Sequence, residues 1–170
     1  GDNNPYLSLP KMQMMLYKLP QKVEEMAEKG DKDEFDLNVF FKAEGKGKNA
    51  KFKYETAVQG WLSFIKGQFL EANATDLKAD IFAPMPFSDV ELLRNLQHTF
   101  WFLPNVSACD AMENLLKANV FFKSYKIINC SGTKAGIGEE ALRRMKQQMG
   151  DPITSESITL SCGKLTTGVD

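Results

Sequence analysis

The chain has 170 residues, of which 43% are hydrophobic, 25% charged and 11% aromatic, a balance that suits one folded domain with a sizeable core and excludes general disorder. Its net charge of −1 supplies no global basic field, so any nucleic-acid contact has to come from a local patch. No apolar run approaches the roughly 20 residues that span a bilayer, and no secretory signal is visible, so a cytoplasmic protein without a membrane partner is expected.

In chain order, residues 11–19 read as a strand and 21–29 as a short polar helix. Residues 31–53 mix acidic and basic side chains around Gly45-Lys-Gly-Lys-Asn49, which reads as a surface insertion or hairpin. Val58, Trp61, Leu62, Ile65 and Phe69 recur at helical spacing, predicting an amphipathic helix over 55–71. Ser88-Asp-Val-Glu91 is a capping box that starts a helix over 89–97.

From Thr99 the pattern tightens. Thr99-Phe-Trp-Phe-Leu103 is a continuous apolar run of the kind found in strands buried on both faces, and Pro104 ends it. Ser107 with Asp110 three residues on predicts an N-cap for a helix over 107–118, with Cys109, Met112, Leu115 and Leu116 on one face. Residues 125–130 form a second predicted strand and 131–138 a loop. A helix follows over 139–149, stopped by Gly150 and Pro152, and 157–162 is the third strand. The β-α-β-α-β order requires parallel strands, so the loops after all three should open on one edge of the sheet. Pro104 and Asn105, Ser131 and Gly132, and residues 164–170 are therefore expected to be neighbours, at the edge where doubly wound sheets bind ligands.

Cys109, Cys130 and Cys162 are odd in number and embedded in apolar runs, as suits reduced, buried thiols. With no C-x-x-C pair and His98 as the single histidine, no zinc site is expected. Neither Gly132-Thr-Lys-Ala-Gly136-Ile-Gly138 nor Cys162-Gly-Lys-Leu165 completes a phosphate-binding signature, and no G-x-S-x-G elbow accompanies His98. An autonomous ATPase or hydrolase is thereby disfavoured. Arg143 and Arg144 read as a solvated helix face paired with Glu139 or Glu140. Lys46, Lys48, Lys51 and Lys53 could hold phosphates as point charges, although Glu44 and Glu55 dilute the patch.

The run Thr99-Phe-Trp-Phe-Leu-Pro-Asn-Val-Ser-Ala-Cys-Asp-Ala-Met-Glu-Asn-Leu-Leu116, then Tyr125-Lys-Ile-Ile-Asn-Cys-Ser-Gly132, then Ile158-Thr-Leu-Ser-Cys-Gly-Lys-Leu-Thr-Thr-Gly-Val-Asp170, resembles the second RecA-like lobe of a superfamily 2 helicase. The similarity is to DEAD/DEAH-type helicases of bacterial restriction-modification systems, with motif IV in the first stretch and motif V in Leu165-Thr-Thr-Gly168. It implies an α/β, RecA-like (P-loop NTPase-type) three-layer sandwich with a mainly parallel sheet, a single lobe over 1–170 with its core at 99–170 and an insertion near 31–55. Because the chain stops at a Thr-Thr-Gly turn, the expectation is a truncated lobe.

The resemblance further implies that Thr166 and Thr167 lie near a nucleic-acid phosphate, alongside Pro104, Asn105, Ser131 and Gly132. Gly168 and Asp170 would lie near the nucleotide sugar. No catalytic residue is expected in this chain. ATP and Mg2+ would belong to the parent protein, whose implied partners are the DNA backbone, a first RecA-like motor lobe and nuclease or methyltransferase modules. The alternative is a free-standing α/β interaction module without ATPase activity.

Overall fold

The computed structural model describes residues 4–5, 7–9, 14, 16–17, 19–27, 35–67, 85–88, 90–132 and 139–163. Helices are α1 (Gln21–Glu24), α2 (Leu37–Phe40), α3 (Glu55–Ile65), α4 (Val90–Asn95), α5 (Val106–Ala118) and α6 (Glu139–Met149). Strands are β1 (Ala43–Glu44), β2 (Lys51–Phe52), β3 (His98–Phe102), β4 (Lys126–Asn129) and β5 (Ser157–Ser161).

Among the described residues the main sheet has three strands in the order β3-β5-β4, every pair parallel, with Phe100 level with Thr159 and Ile128. The last strand thus sits between the first two, and the helices that make the crossovers cover opposite faces. Trp101, Ile127, Ile158 and Leu160 pack into the larger core with Met112 and Leu116 of α5. Phe100 and Ile128 pack with Leu142, Met145 and Met149 of α6. This alternation is the period-2 side-chain rule applied to a sheet with a helix on each face.

Central position explains why β5 is buried at every residue, including Ser157, Thr159 and Ser161. The three hydroxyls fall on the α6 side, because Ile158 and Leu160 take the other. Ser157 has a partner in His98 Nδ1 at 2.8 Å, whereas Thr159 Oγ1 and Ser161 Oγ have none among the described residues. A buried hydroxyl without a partner forfeits its hydration and gains nothing for it. Thr159→Val should therefore raise unfolding stability by roughly 1 kcal/mol in a urea titration. A loss of that size would mean that the hydroxyl is bonded after all.

Several expectations need correction. Met14, Leu16, Tyr17 and Leu19 carry no regular structure, and Met14 and Leu16 are exposed, so the strand expected at 11–19 is not seen at these positions. The helix expected over 21–29 spans only Gln21–Glu24, with turn and bend through Ala27. Phe102 is 59% exposed because β3 is an edge strand, not one buried on both faces. Its Trp101 nonetheless satisfies its indole N–H locally, donating to Thr99 Oγ1 at 3.0 Å. The N-cap of α5 is Asn105, whose side chain accepts from Ala108 N–H at 2.9 Å, and not Ser107. The helix expected at 55–71 closes at Ile65, where Lys66 and Gly67 turn and Gly67 takes φ +71°. The helix expected at 89–97 covers Val90–Asn95.

Other expectations held. Helix α6 begins and ends where its pattern does, and Gly150 follows it at φ +77°, a left-handed residue of the kind that closes helices. Asp151 then holds the connection to β5 by accepting from Thr154 N–H and Ile153 N–H at 2.9 and 2.8 Å, and these bonds hold its carboxyl below the usual range. The aromatic stripe of α3 is packing: Trp61 meets Phe41 and Trp101 edge to face at 5.4 and 5.5 Å.

β1 and β2 form an antiparallel hairpin, with Ala43 opposite Phe52 and Glu44 opposite Lys51. Its apolar side, Ala43 and Phe52, joins the main core. The turn is fastened to α5 by side chains. Ser107 Oγ donates to Gly45 O at 3.0 Å, Asn114 Nδ2 donates to Gly47 O and Ala50 O at 2.8 and 3.1 Å, and Asp110 Oδ2 accepts from Gly47 N–H at 2.9 Å.

Candidate functional site

Parallel pairing puts the carboxyl ends of β3, β5 and β4 on one edge of the sheet. Leu103 N–H donates to Ser161 O at 2.9 Å and Cys130 N–H to Leu160 O at 2.8 Å, so the three strands leave the sheet nearly level. Pro104 and Asn105 thus flank Cys162 and Gly163 on one side, and Ser131 and Gly132 flank them on the other. With strands about 4.8 Å apart, the two outer pairs are separated by roughly 10 Å. Of the expected site residues, Pro104, Asn105, Ser131 and Gly132 share this edge; Thr166, Thr167, Gly168 and Asp170 lie outside the described residues.

Their local environments differ. Pro104 and Asn105 are exposed, but the Asn105 side chain is engaged in capping α5. Ser131 is buried, and both its N–H and its hydroxyl donate to Asn129 Oδ1. At Gly132 an added Cβ would meet nothing within 4 Å among the described residues, and the same is true at Gly163, which takes φ +91°. Gly163 is exposed and Gly132 half-buried at the two outward turns, while the Ser131 hydroxyl is turned into the fold.

Behind the edge lies a polar network that the sequence did not reveal. Asn129 Nδ2 donates to Asp110 Oδ1 at 2.8 Å and to Glu113 Oε2 at 3.3 Å, and Asp110 Oδ2 takes the Gly47 N–H. One carboxylate thereby joins the end of β4 to the hairpin through α5. Read as half of an Ser107 capping box, Asp110 looks local; its actual partners are 19 and 63 residues away.

Three cysteines are free thiols, with Cys109 and Cys130 buried and Cys162 half-buried. Burial above all pushes the Cys109 thiol up to about 12. A thiol so held is protonated near neutrality and is packing material, not a nucleophile. His98 sits at the opposite edge, its Nδ1 on Ser157 Oγ and its Nε2 at 3.2 Å from Pro152 O, a structural role. Arg144 pairs with Glu140 at 2.6 Å on the exposed face of α6, as its spacing predicts. Among the described residues, no group of three His, Cys, Asp or Glu side chains could hold a metal ion. Nor is any described helix long and apolar enough to cross a membrane.

Fold and edge together define a mixed α/β protein built on a three-strand parallel sheet. Comparison with known proteins adds one relation. The chain is 31% identical over 77 residues to a Mycoplasma pneumoniae protein described as the C-terminus of a type II restriction enzyme and methyltransferase, a match covering 43% of this chain and 11% of that protein. The chain thus spans about a tenth of the relative's length. No family model matches the chain, and no solved structure matches it.

Proposed function

We propose that this chain is a DNA-gripping α/β lobe of a restriction-modification enzyme, the second RecA-like lobe of its ATP-driven helicase or translocase motor. The observation that carries the reading is the shared carboxyl edge of a parallel sheet, which brings Pro104, Asn105, Ser131 and Gly132 together beside Gly163 and from which residues 164–170 continue. The restriction-enzyme relative supports the enzymatic setting.

In this reading residues 1–170 form a single lobe. The turns at Pro104–Asn105 and Ser131–Gly132, with the Thr166 and Thr167 hydroxyls, contact phosphates of the DNA backbone, which fixes register without reading bases. Gly168 and Asp170 approach the nucleotide sugar across a cleft shared with a first lobe. ATP with Mg2+ supplies the free energy there and is held mainly by that other lobe. Closing and opening of the cleft shifts this lobe between gripping and releasing states, giving sequence-independent stepping. Nuclease or methyltransferase modules act on the DNA so delivered.

Thr167→Ala in the full-length enzyme should lower DNA-stimulated ATP hydrolysis about tenfold, the equivalent of about 1.4 kcal/mol, and leave the thermal midpoint unchanged. Stimulation equal to that of the wild type would remove the motor reading.

A further inference from the structure

The hairpin carries the chain's charge asymmetry. Between positions 42 and 53 stand five lysines and one glutamate, a formal +4 in a chain whose total is −1. Pairing of Ala43 with Phe52 turns those two side chains into the core, so the alternate positions Lys42, Glu44, Lys51 and Lys53 face outward, and Lys46 and Lys48 ride on the turn. All five lysines are exposed. Lys42, Lys46, Lys48 and Lys51 form no ion pair among the described residues, even though Glu44 lies directly across from Lys51.

The ribbon is also fixed in place. Four hydrogen bonds from Ser107, Asp110 and Asn114 hold Gly45, Gly47 and Ala50 against the first turns of α5, two residues beyond Asn105. Lysines on a loose loop would lose ordering entropy on binding, whereas this backbone is ordered beforehand. Gly47 bears on the same point. Its φ of +56° lets the turn present its N–H inward to Asp110, leaving Lys46 and Lys48 on the outer side.

We propose that the Lys42–Lys53 hairpin is a second DNA-backbone contact surface, which extends the sheet-edge site across the start of α5. It rests on the DNA-binding reading above and adds the surface that supplies most of the electrostatic affinity. Neutralised phosphates release counterions, so each lysine engaged contributes about 0.9 to the slope of log affinity against log salt.

The test uses the 170-residue chain and a fluorescein-labelled duplex of arbitrary sequence, followed by anisotropy from about 0.05 to 0.2 M salt. The Lys46→Ala/Lys48→Ala variant should bind more weakly, with a slope reduced by about 2, so that the wild-type advantage shrinks about tenfold across that salt range. Glu44→Gln should bind tighter than wild type, an outcome that misfolding cannot imitate. Unchanged affinity and slope in these variants overturn the proposal, as does a wild-type chain that fails to bind the duplex. The duplex should bind more tightly than labelled poly-glutamate; a poly-glutamate that binds the lysine surface as tightly assigns it to an acidic polypeptide and also overturns the proposal.

The two readings fail separately. Duplex binding that ignores the hairpin lysines but weakens with Thr167→Ala removes the hairpin surface and keeps the sheet edge. Lysine-dependent binding with DNA-stimulated hydrolysis untouched by Thr167→Ala does the reverse.

Discussion

Phe122→Ala should cost about 3–5 kcal/mol of unfolding stability, the range for emptying a fully buried aromatic site. Phe122 is 0% exposed and sits on the single 3-10 turn Phe122–Ser124 between α5 and β4. Its ring lies 5.2 Å from Phe87, 5.7 Å from Trp101, 4.9 Å from Phe121 and 6.0 Å from Tyr125. These neighbours belong to the 85–88 turn, the edge strand β3 and the lead into β4, so the cavity would open where three segments meet and none can collapse into it alone. A domain of this size has a total stability of about 5–15 kcal/mol, so the variant should be marginal at ambient temperature. Urea unfolding followed by fluorescence and by circular dichroism measures the loss. Phe102→Ala is the control: that ring is 59% exposed and should cost less than about 1 kcal/mol. Similar losses at the two positions would contradict the packing described.

The contrast between Phe122 and Phe102 also shows how far sequence alone carries. A run such as Thr99-Phe-Trp-Phe-Leu103 announces a strand because β-branched and aromatic residues suit a pleated surface, but it cannot reveal which strand takes the middle of the sheet. Here β5, which carries three hydroxyl residues, is central, while the most aromatic strand lies at the edge. Elements closed by their own chemistry were legible, α6 with Gly150 above all. The parallel arrangement followed from the alternation of strands and helices and needed no side-chain detail.

What sequence reading missed was set by tertiary partners. Residues 11–19 have enough apolar side chains for a strand, yet Met14 and Leu16 face water and Tyr17 and Leu19 carry no strand structure. Asn105 took the cap from Ser107 because the strand exit aligned it with Ala108 N–H, and Ser107 was then left to hold Gly45. The candidate edge was legible as a place. Its supporting network was not, since nothing within a window of a few residues links Asp110 to Gly47 or Asn129.

That network yields the second large effect. Asp110→Asn should destabilise the fold by about 2 kcal/mol, nearly as much as Asp110→Ala, although it keeps shape and volume. The reason is the count of acceptors. Asp110 receives the Asn129 amide on Oδ1 and the Gly47 N–H on Oδ2, both at 2.8–2.9 Å. An asparagine has one acceptor oxygen, so its own NH2 group must face one of those two donors. Two donors opposed at hydrogen-bond distance cannot both be satisfied, and the cheaper outcome is release of the hairpin turn. Half-burial of Asp110 lets water repay part of the loss, which keeps the expected cost below that of emptying the Phe122 site. Chemical denaturation gives the magnitude, and amide exchange at Gly47 gives the place: its N–H should lose protection in the Asn variant while Leu160 N–H in β5 keeps it. Exchange at Gly47 that stays slow, or an Asn variant as stable as wild type, would mean that Asp110 does not fasten the hairpin to α5. The preorganisation assigned to the lysine surface would then have no source.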